Sequence, residues 1–233
     1  MRRVQNKDLR ASQARILIVL LRETGFDPSW LEAYGANPAA KHEAAAFVGV
    51  PVGAWKTALY AMLMGARVPS LKQAIRSEGE VAQALREAVP PAAFGAVYRR
   101  FLDYTAPLRA VLTEWHRWLV DVYVPTSAVR NNADGRRYLT NEVGAKVSVE
   151  ELAEDAPPWQ LRARLAAFLL QGREAALIHT LAAASRRHGF EVFSHEHDGL
   201  VVLGEVPGEA VEAAAHAARL PLELVDLDTK PFL

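Results

Sequence analysis

Two short segments near opposite ends of the chain each carry an aspartate suited to a divalent cation. The first is S-H-E-H-D-G-L-V-V, residues 194–202. The β-rich runs F-E-V-F-S-H-E and L-V-V-L-G-E-V flank His197-Asp198-Gly199, so Asp198 is predicted at the tip of a tight hairpin. A carboxylate there is held by two strands yet open to solvent, as a hard cation requires. His195 and His197 alternate with Glu196 and Asp198, so each pair shares a face of an extended strand. A His-x-His pair also suits zinc, and a metal-dependent hydrolase built on His195, His197 and Asp198 is one alternative. The remaining histidines, at 42, 116, 179, 188 and 216, show no metal spacing, which leaves a third and fourth zinc ligand unassigned. The blander reading is an ordinary polar hairpin tip. The second segment runs from Asp8, just ahead of the amphipathic stretch A-S-Q-A-R-I-L-I-V-L-L-R-E. On its own, Asp8 reads as an N-cap. A third feature is Lys56 and Tyr60, one turn apart on one helix face. Lys56 stands near the start of its helix, where free N–H groups already favour an anion.

These residues need a scaffold, and the sequence texture suggests one. Helical periodicity runs through residues 11–23, 37–50 and 52–64, the last closed by Gly65. Residues 70–89 and 94–123 read as two long amphipathic helices separated by Pro90-Pro91. Residues 125–147 are rich in turn formers around Asp134-Gly135 and read as a loop or hairpin. A helix from about 158 to 187 precedes the Asp198 hairpin. A helix over E-A-V-E-A-A-A-H-A-A-R-L and a strand over L-E-L-V-D-L complete the chain. Strand signals lie towards the ends and helices in the middle, which suggests an α+β fold with a helical region inserted into a sheet-based one.

Composition bounds the rest. The 233 residues are 51% hydrophobic and 23% charged, which fits a folded chain and excludes a disordered one. No apolar run approaches the ~18 residues of a membrane span. The charged start M-R-R-V-Q-N-K-D-L-R does not read as a secretory signal. With no cysteine there is no disulfide framework or thiolate site, in keeping with an expected cytoplasmic location. Formal net charge is +0, but Arg2, Arg3, Lys7, Arg10 and Arg15 stand against Asp8 alone in the first fifteen residues. Arg130, Arg136, Arg137 and Lys146 form a second basic stretch. Local patches of this kind contact phosphates even when the total is neutral.

Taken in order, the segments resemble family A DNA polymerases, the bacterial DNA polymerase I family, with relatives among single-subunit phage-type RNA polymerases. D-L-R-A-S-Q-A-R-I, from Asp8, is similar to that family's D-Y-S-Q-I-E-L-R-I. Asp8 takes the metal-aspartate place, Gln13 that of the sugar-sensing Glu, and Arg15 that of the Arg. The K-x-x-x-[FY]-G-x-x-Y-G motif falls on Lys56, Tyr60, Ala61, Met64 and Gly65, and the His-Asp hairpin on His197 and Asp198. D-G-R-R-Y-L at 134–139 resembles a G-R-R-x-Y-L hairpin, Q-G-R-E-A-A at 171–176 a Q-G-T-A-A-D helix, and L-P-L-E-L-V the closing strand.

The resemblance implies a right-hand polymerase: a palm of antiparallel sheet with packed helices (residues 1–23 and 123–233), helical fingers (24–122) and no thumb. It implies a template-directed DNA polymerase that adds nucleotides to a primer 3′-OH, with two Mg²⁺ ions held by Asp8 and Asp198. Catalysis of this type comes from positioning and charge stabilisation more than from covalent participation by protein. Lys56 would bind the nucleoside triphosphate, Tyr60 would pack beside sugar or base, and Gln13, Met64 and Arg15 would complete the nucleotide site. Gln171, Arg136, Arg137 and His197 would touch the primer–template. The departures are specific: Gln13 for Glu, Met64 for Tyr, Val52 where a second triphosphate-binding Arg is expected, and Gly199 after His-Asp. They leave dNTP against NTP open, with a primase-like or RNA polymerase-like enzyme, or a non-catalytic nucleic-acid-binding or partner-binding relative, as alternatives. With seven residues before Asp8, a thumb or processivity function is expected from a separate chain, the alternative being that the polypeptide is a fragment.

Overall fold

The computed structural model describes residues 4–9, 12–196 and 199–231, arranged in two compact units. The first comprises residues 1–19, 140–146 and 168–233; the second comprises 20–139 and 147–167. Residues 123–139 and 147–167, which the sequence groups with the palm, therefore cluster with the helical unit.

The first unit is organised on a four-stranded antiparallel sheet. Its strands are β1 (Val4–Leu9), β5 (Glu191–Glu196), β6 (Gly199–Leu203) and β7 (Leu227–Pro231), in the order β5-β6-β1-β7. β1 is thus a central strand, paired with β6 on one side and β7 on the other. Its sequence V-Q-N-K-D-L lacks the alternation that marks a half-buried strand, so pairing on both edges must hold it there. This placement removes the N-cap reading of Asp8, because Asp8 lies inside a paired strand while helix α1 begins at Ser12. β5 and β6 form the expected hairpin, with Glu196 opposite Gly199 and a register shift between Val192 and Ser194. The shift leaves Phe193 as the extra residue of a bulge, exposed to solvent. Leu200, Val201 and Val202 of β6 are buried, as are Phe190 and Leu177, Ile178 and Leu181 of helix α11 (Pro158–His188).

Two sequence expectations fail in this unit for local reasons. The run L-E-L-V-D-L is not a strand. Pro221 starts a 3₁₀ turn over Leu222–Leu224, closed by Leu224 N–H to the Pro221 carbonyl at 2.9 Å, and β7 begins only at Leu227. The final helix, α12 (Gly208–Ala217), starts as expected but stops at Ala218, short of the predicted Leu220.

The second unit is helical. It takes the end of α1 (Ser12–Glu23), then α2 (Ser29–Ala36), α3 (Ala40–Val48), α4 (Val52–Leu63), α5 (Leu71–Ala74), α6 (Glu80–Glu87), α7 (Pro91–Tyr104) and α8 (Ala106–Trp118). A π-helical turn, Leu119–Tyr123, leads to α9 (Val124–Ser127), and α10 (Val149–Ala153) and the start of α11 follow. A small sheet of β2 (Val129–Arg130), β3 (Arg137–Thr140) and β4 (Lys146–Ser148), in that order, realises the hairpin expected over residues 125–147. α2 is a helix that the sequence reading passes over, because Gly25 and Pro28 read there as a stop. The two long helices predicted over 70–89 and 94–123 are each broken. Ser77-Glu78-Gly79 separates α5 from α6, with Ser77 Oγ accepting the Gly79 N–H at 3.1 Å. Thr105 separates α7 from α8: Pro107 has no N–H to give the ladder, and the Thr105 N–H and hydroxyl both donate to the Phe101 carbonyl, at 3.0 and 2.7 Å.

The unit's core is aromatic. Trp55, Tyr98 and Phe101 are fully buried, with Leu59, Leu63 and Leu85 packed in the same unit. Trp55 meets Phe101 and Tyr104 edge-on at 5.8 and 5.4 Å between centroids. Among the described residues no single helix is long and apolar enough to cross a membrane; the bent pair α3 and α4 is so only in combination, across a 98° break.

Gly65 closes α4. Its φ is +87°, and the N–H groups of Gly65 and Ala66 return to the Met62 and Ala61 carbonyls at 3.1 and 2.9 Å, which is a Schellman ending. A Cβ at this position would stand 2.6 Å from Ala163 Cα, a backbone atom that cannot swing aside. Gly65→Ala therefore meets both a left-handed backbone and a clash. It should cost about 2–3 kcal/mol in urea unfolding, whereas Gly53→Ala, with nothing within 4 Å, should cost nothing.

Candidate functional site

The sheet brings the two ends of the chain together. In the β1–β6 ladder Asp8 pairs with Gly199, the residue that directly follows Asp198 in sequence. In the β1–β7 ladder the same Asp8 pairs with Asp228. The β1–β7 register thus pairs two acidic positions of the sequence. Sequence reading passed over Asp228 because nothing in L-V-D-L-D-T marks it before the register is known. The Asp8 side chain, His197 and Asp198 lie outside the described residues. Among the described residues no group of three or more His, Asp or Glu side chains is arranged to hold a metal ion. His195 is exposed on β5 and lies edge-on to His179, 6.2 Å between ring centroids.

Around this sheet the first unit fixes several of the expected residues. Gln13 and Arg15 lie in the first turn of α1. The Gln13 amide donates to Glu174 Oε1 at 3.4 Å. Arg15 donates to the Leu224 carbonyl at 3.0 Å and to Asp226 at 3.2 Å, so it ties α1 to the segment that enters β7. That anchoring role explains an arginine at this position without any ligand. Gln171 is exposed on α11, next to Gly172, where a Cβ would lie 2.6 Å from the Asn141 side chain. Gly172 is thus the contact that lets the 140–146 segment approach α11. Arg173, 2% exposed, is bridged to Glu142 at 3.3 Å and donates to the Arg219 carbonyl at 3.4 Å. This buried ion pair holds the 140–146 segment to the helix that carries Gln171, a positioning element with no signal in the sequence.

The second unit carries the others. Lys56 is exposed on α4, its Nζ 6.0 Å from the centre of the Tyr60 ring. Met64 is half-buried at the C-cap of the same helix. Arg136 immediately precedes β3 and Arg137 opens it, and both face carboxylates of α10: Arg136 with Glu151 at 2.6 Å, and Arg137 with Glu150 at 3.1 Å. The backbone N–H of Arg137 also donates to Glu150 at 3.0 Å, and this bond leads the set of contacts that brings the Glu150 carboxyl down to about 2. Asp134 orders the turn, accepting the Arg136 N–H at 2.9 Å and the Tyr138 hydroxyl at 2.8 Å. The two arginines are thus displayed by an ordered hairpin and hold exposed, water-screened partners that a phosphate can replace.

No family model matches the chain, and no curated protein matches it. A solved structure does: the POL domain of Pol1 from M. smegmatis in complex with DNA primer-template and dNTP. The TM-score is 0.51 at 18% identity, over 99% of this chain and 39% of that one, so this chain spans about two-fifths of that structure's length. Mixed α and β, mostly helical, with small antiparallel sheets, the protein has a polymerase-like fold.

Proposed function

We propose that the chain is a template-directed nucleic-acid polymerase, in the first instance a DNA polymerase, with Asp8 and Asp198 as its cation-holding carboxylates. The observation that carries this reading is the β1–β6 register. It sets Asp8 opposite Gly199, the residue that follows Asp198 in sequence, so strands from opposite ends of the chain pair at this point. The polymerase-like fold supports it independently. The donor set suits Mg²⁺, a hard cation that takes one or two carboxylates and leaves its other positions to water and phosphate oxygens. When bound, such ions supply the positive charge that acidifies a primer 3′-hydroxyl and offsets the charge on departing pyrophosphate.

The remaining roles fall to the chain's own groups. Lys56, exposed and flanked by Tyr60, would hold the triphosphate as a point charge. Tyr60 and Met64 would bound the nucleotide, while Gln13, hydrogen-bonded to Glu174, and Arg15 would shape the sugar side. Gln171, Arg136, Arg137 and His197 would contact the primer–template, and phosphate contacts of that kind position a duplex without reading its sequence.

Primer extension with Mg²⁺, with dNTPs and NTPs offered separately, tests this reading. Extension with either class supports a polymerase and reports the sugar preference that Gln13 and Met64 leave open. Tight primer–template binding with no extension would instead mark a non-catalytic relative. Lys56→Ala should raise the KM for nucleotide about tenfold while kcat changes little, because a charge-assisted phosphate contact is lost from the ground state and transition state alike. An unchanged KM would remove Lys56 from the nucleotide site.

A further inference from the structure

The second unit contains a cavity of about 170 Å³ whose polar lining is cationic. Arg67 enters it from the loop after α4, Arg109, Thr113 and His116 from α8, and Trp159 and Arg162 from the first turns of α11. Among the described residues that line it there is no aspartate or glutamate. Three of its nitrogens, Arg109 Nε, His116 Nε2 and Arg162 Nε, are buried with no hydrogen-bond partner in the protein. A buried donor left unmatched costs about 1–3 kcal/mol, more on a charged group, and folded proteins seldom leave several together. Of the four buried side-chain nitrogens and oxygens without a partner among the described residues of this unit, these three line the cavity and the fourth is Trp115 Nε1. Arg109 Nη2 does donate to the Leu102 carbonyl at 2.7 Å, and beyond the cavity the Tyr98 hydroxyl donates to the Pro69 carbonyl at 2.8 Å. The unmatched nitrogens are thus concentrated at the cavity.

We infer that this cavity is a phosphate-binding site, separate from the nucleotide site assigned to Lys56. Three guanidinium groups and an imidazole, borne on three different elements, approach one space from different directions. A tetrahedral oxyanion offers acceptors in all those directions, whereas a carboxylate offers two in one plane. Burial, reinforced by Arg162, pushes the His116 imidazole down to about 4. The ring is therefore neutral near neutral pH and can donate from Nε2 without adding a charge. Trp159, 45% exposed, adds a flat apolar face for whatever carries the phosphate. Lys56 does not line the cavity, and the lining residue of α4 nearest to it in sequence, Met62, lies six residues further on, roughly 9 Å along the helical rise.

The phosphate could be free in solution or part of a nucleic-acid backbone, and the test separates the two. The imidazole signals of the intact chain are followed by NMR while inorganic phosphate, or a short single-stranded oligonucleotide without terminal phosphates, is added. Binding at the cavity should move the His116 signals. Arg162→Gln should weaken that binding about tenfold or more, the loss expected for a charge-assisted hydrogen bond, and Lys56→Ala should leave the inorganic phosphate titration unchanged. A response to inorganic phosphate assigns the site to a free anion; a response to the oligonucleotide alone assigns it to a backbone phosphodiester. Arg67→Gln, at an exposed side chain, carries the same test should Arg162→Gln fail to fold. His116 signals indifferent to both additions, or equal affinity in the Arg variants, would leave a water-filled cavity only and overturn the inference.

Discussion

Asp8→Asn and Asp198→Asn should each lower primer extension by about a thousandfold or more, with unfolding midpoints close to that of the parent chain. Amide for carboxylate keeps size and shape but removes the negative charge that a shared cation needs, and electrostatic contributions of this type are among the largest in catalysis. The backbone pairing of β1 with β6 and β7 does not depend on the Asp8 carboxylate, so the sheet should survive. The pair of variants is more informative than either alone. If both aspartates serve one cation site, the double variant should be about as inactive as each single one, because residues acting as a unit are strongly non-additive. Parental rates in either single variant would remove that residue from the site.

Trp55→Ala should have the largest effect on stability, about 3–5 kcal/mol, read from urea unfolding of the intact chain. Trp55 is wholly buried, and its indole N–H donates to the Tyr34 hydroxyl at 2.8 Å. Tyr34 is in turn stacked on Trp30 at 5.3 Å with an interplanar angle of 8°. Truncation removes the centre of this cluster and leaves a cavity between α4 and the helices packed on it. The loss should appear in the transition of the helical unit. With two compact units, the unfolding curve should be followed by more than one probe before a single transition is assumed. Trp55→Phe should cost less, since it keeps most of the packing and loses the hydrogen bond. A loss below about 1 kcal/mol for Trp55→Ala would show that the cluster does not hold the unit together.

The legibility of this chain differs between its halves for physical reasons. The β5–β6 hairpin is visible in sequence because β-rich runs converge on a polar tip, and α4 because Gly65 ends it as only a residue tolerant of positive φ can. β1 gives no such sign. Its residues are polar, and its place in the sheet comes from partners near the other end of the chain, information that no local window contains. The same holds for Asp228, whose position opposite Asp8 is a property of register alone. The breaks at Ser77–Gly79 and Thr105 were within reach of the sequence, since Gly79 and Pro107 are ordinary helix punctuation. The amphipathic periodicity on either side outweighed them. The cavity lined by Arg109, His116 and Arg162 was not legible, because its members are dispersed along α8 and α11 and come together only through packing.

A crystal of the chain with primer–template, a non-hydrolysable nucleotide and Mn²⁺ in place of Mg²⁺ addresses the shared-cation site directly through the anomalous signal of the metal. The expected result is density with oxygens of Asp8 and Asp198 both at about 2.0–2.2 Å, the distance of a hard cation to its carboxylate ligands. Carboxylates too far apart to share an ion in that ternary complex, or Mn²⁺ held by other residues, would contradict it.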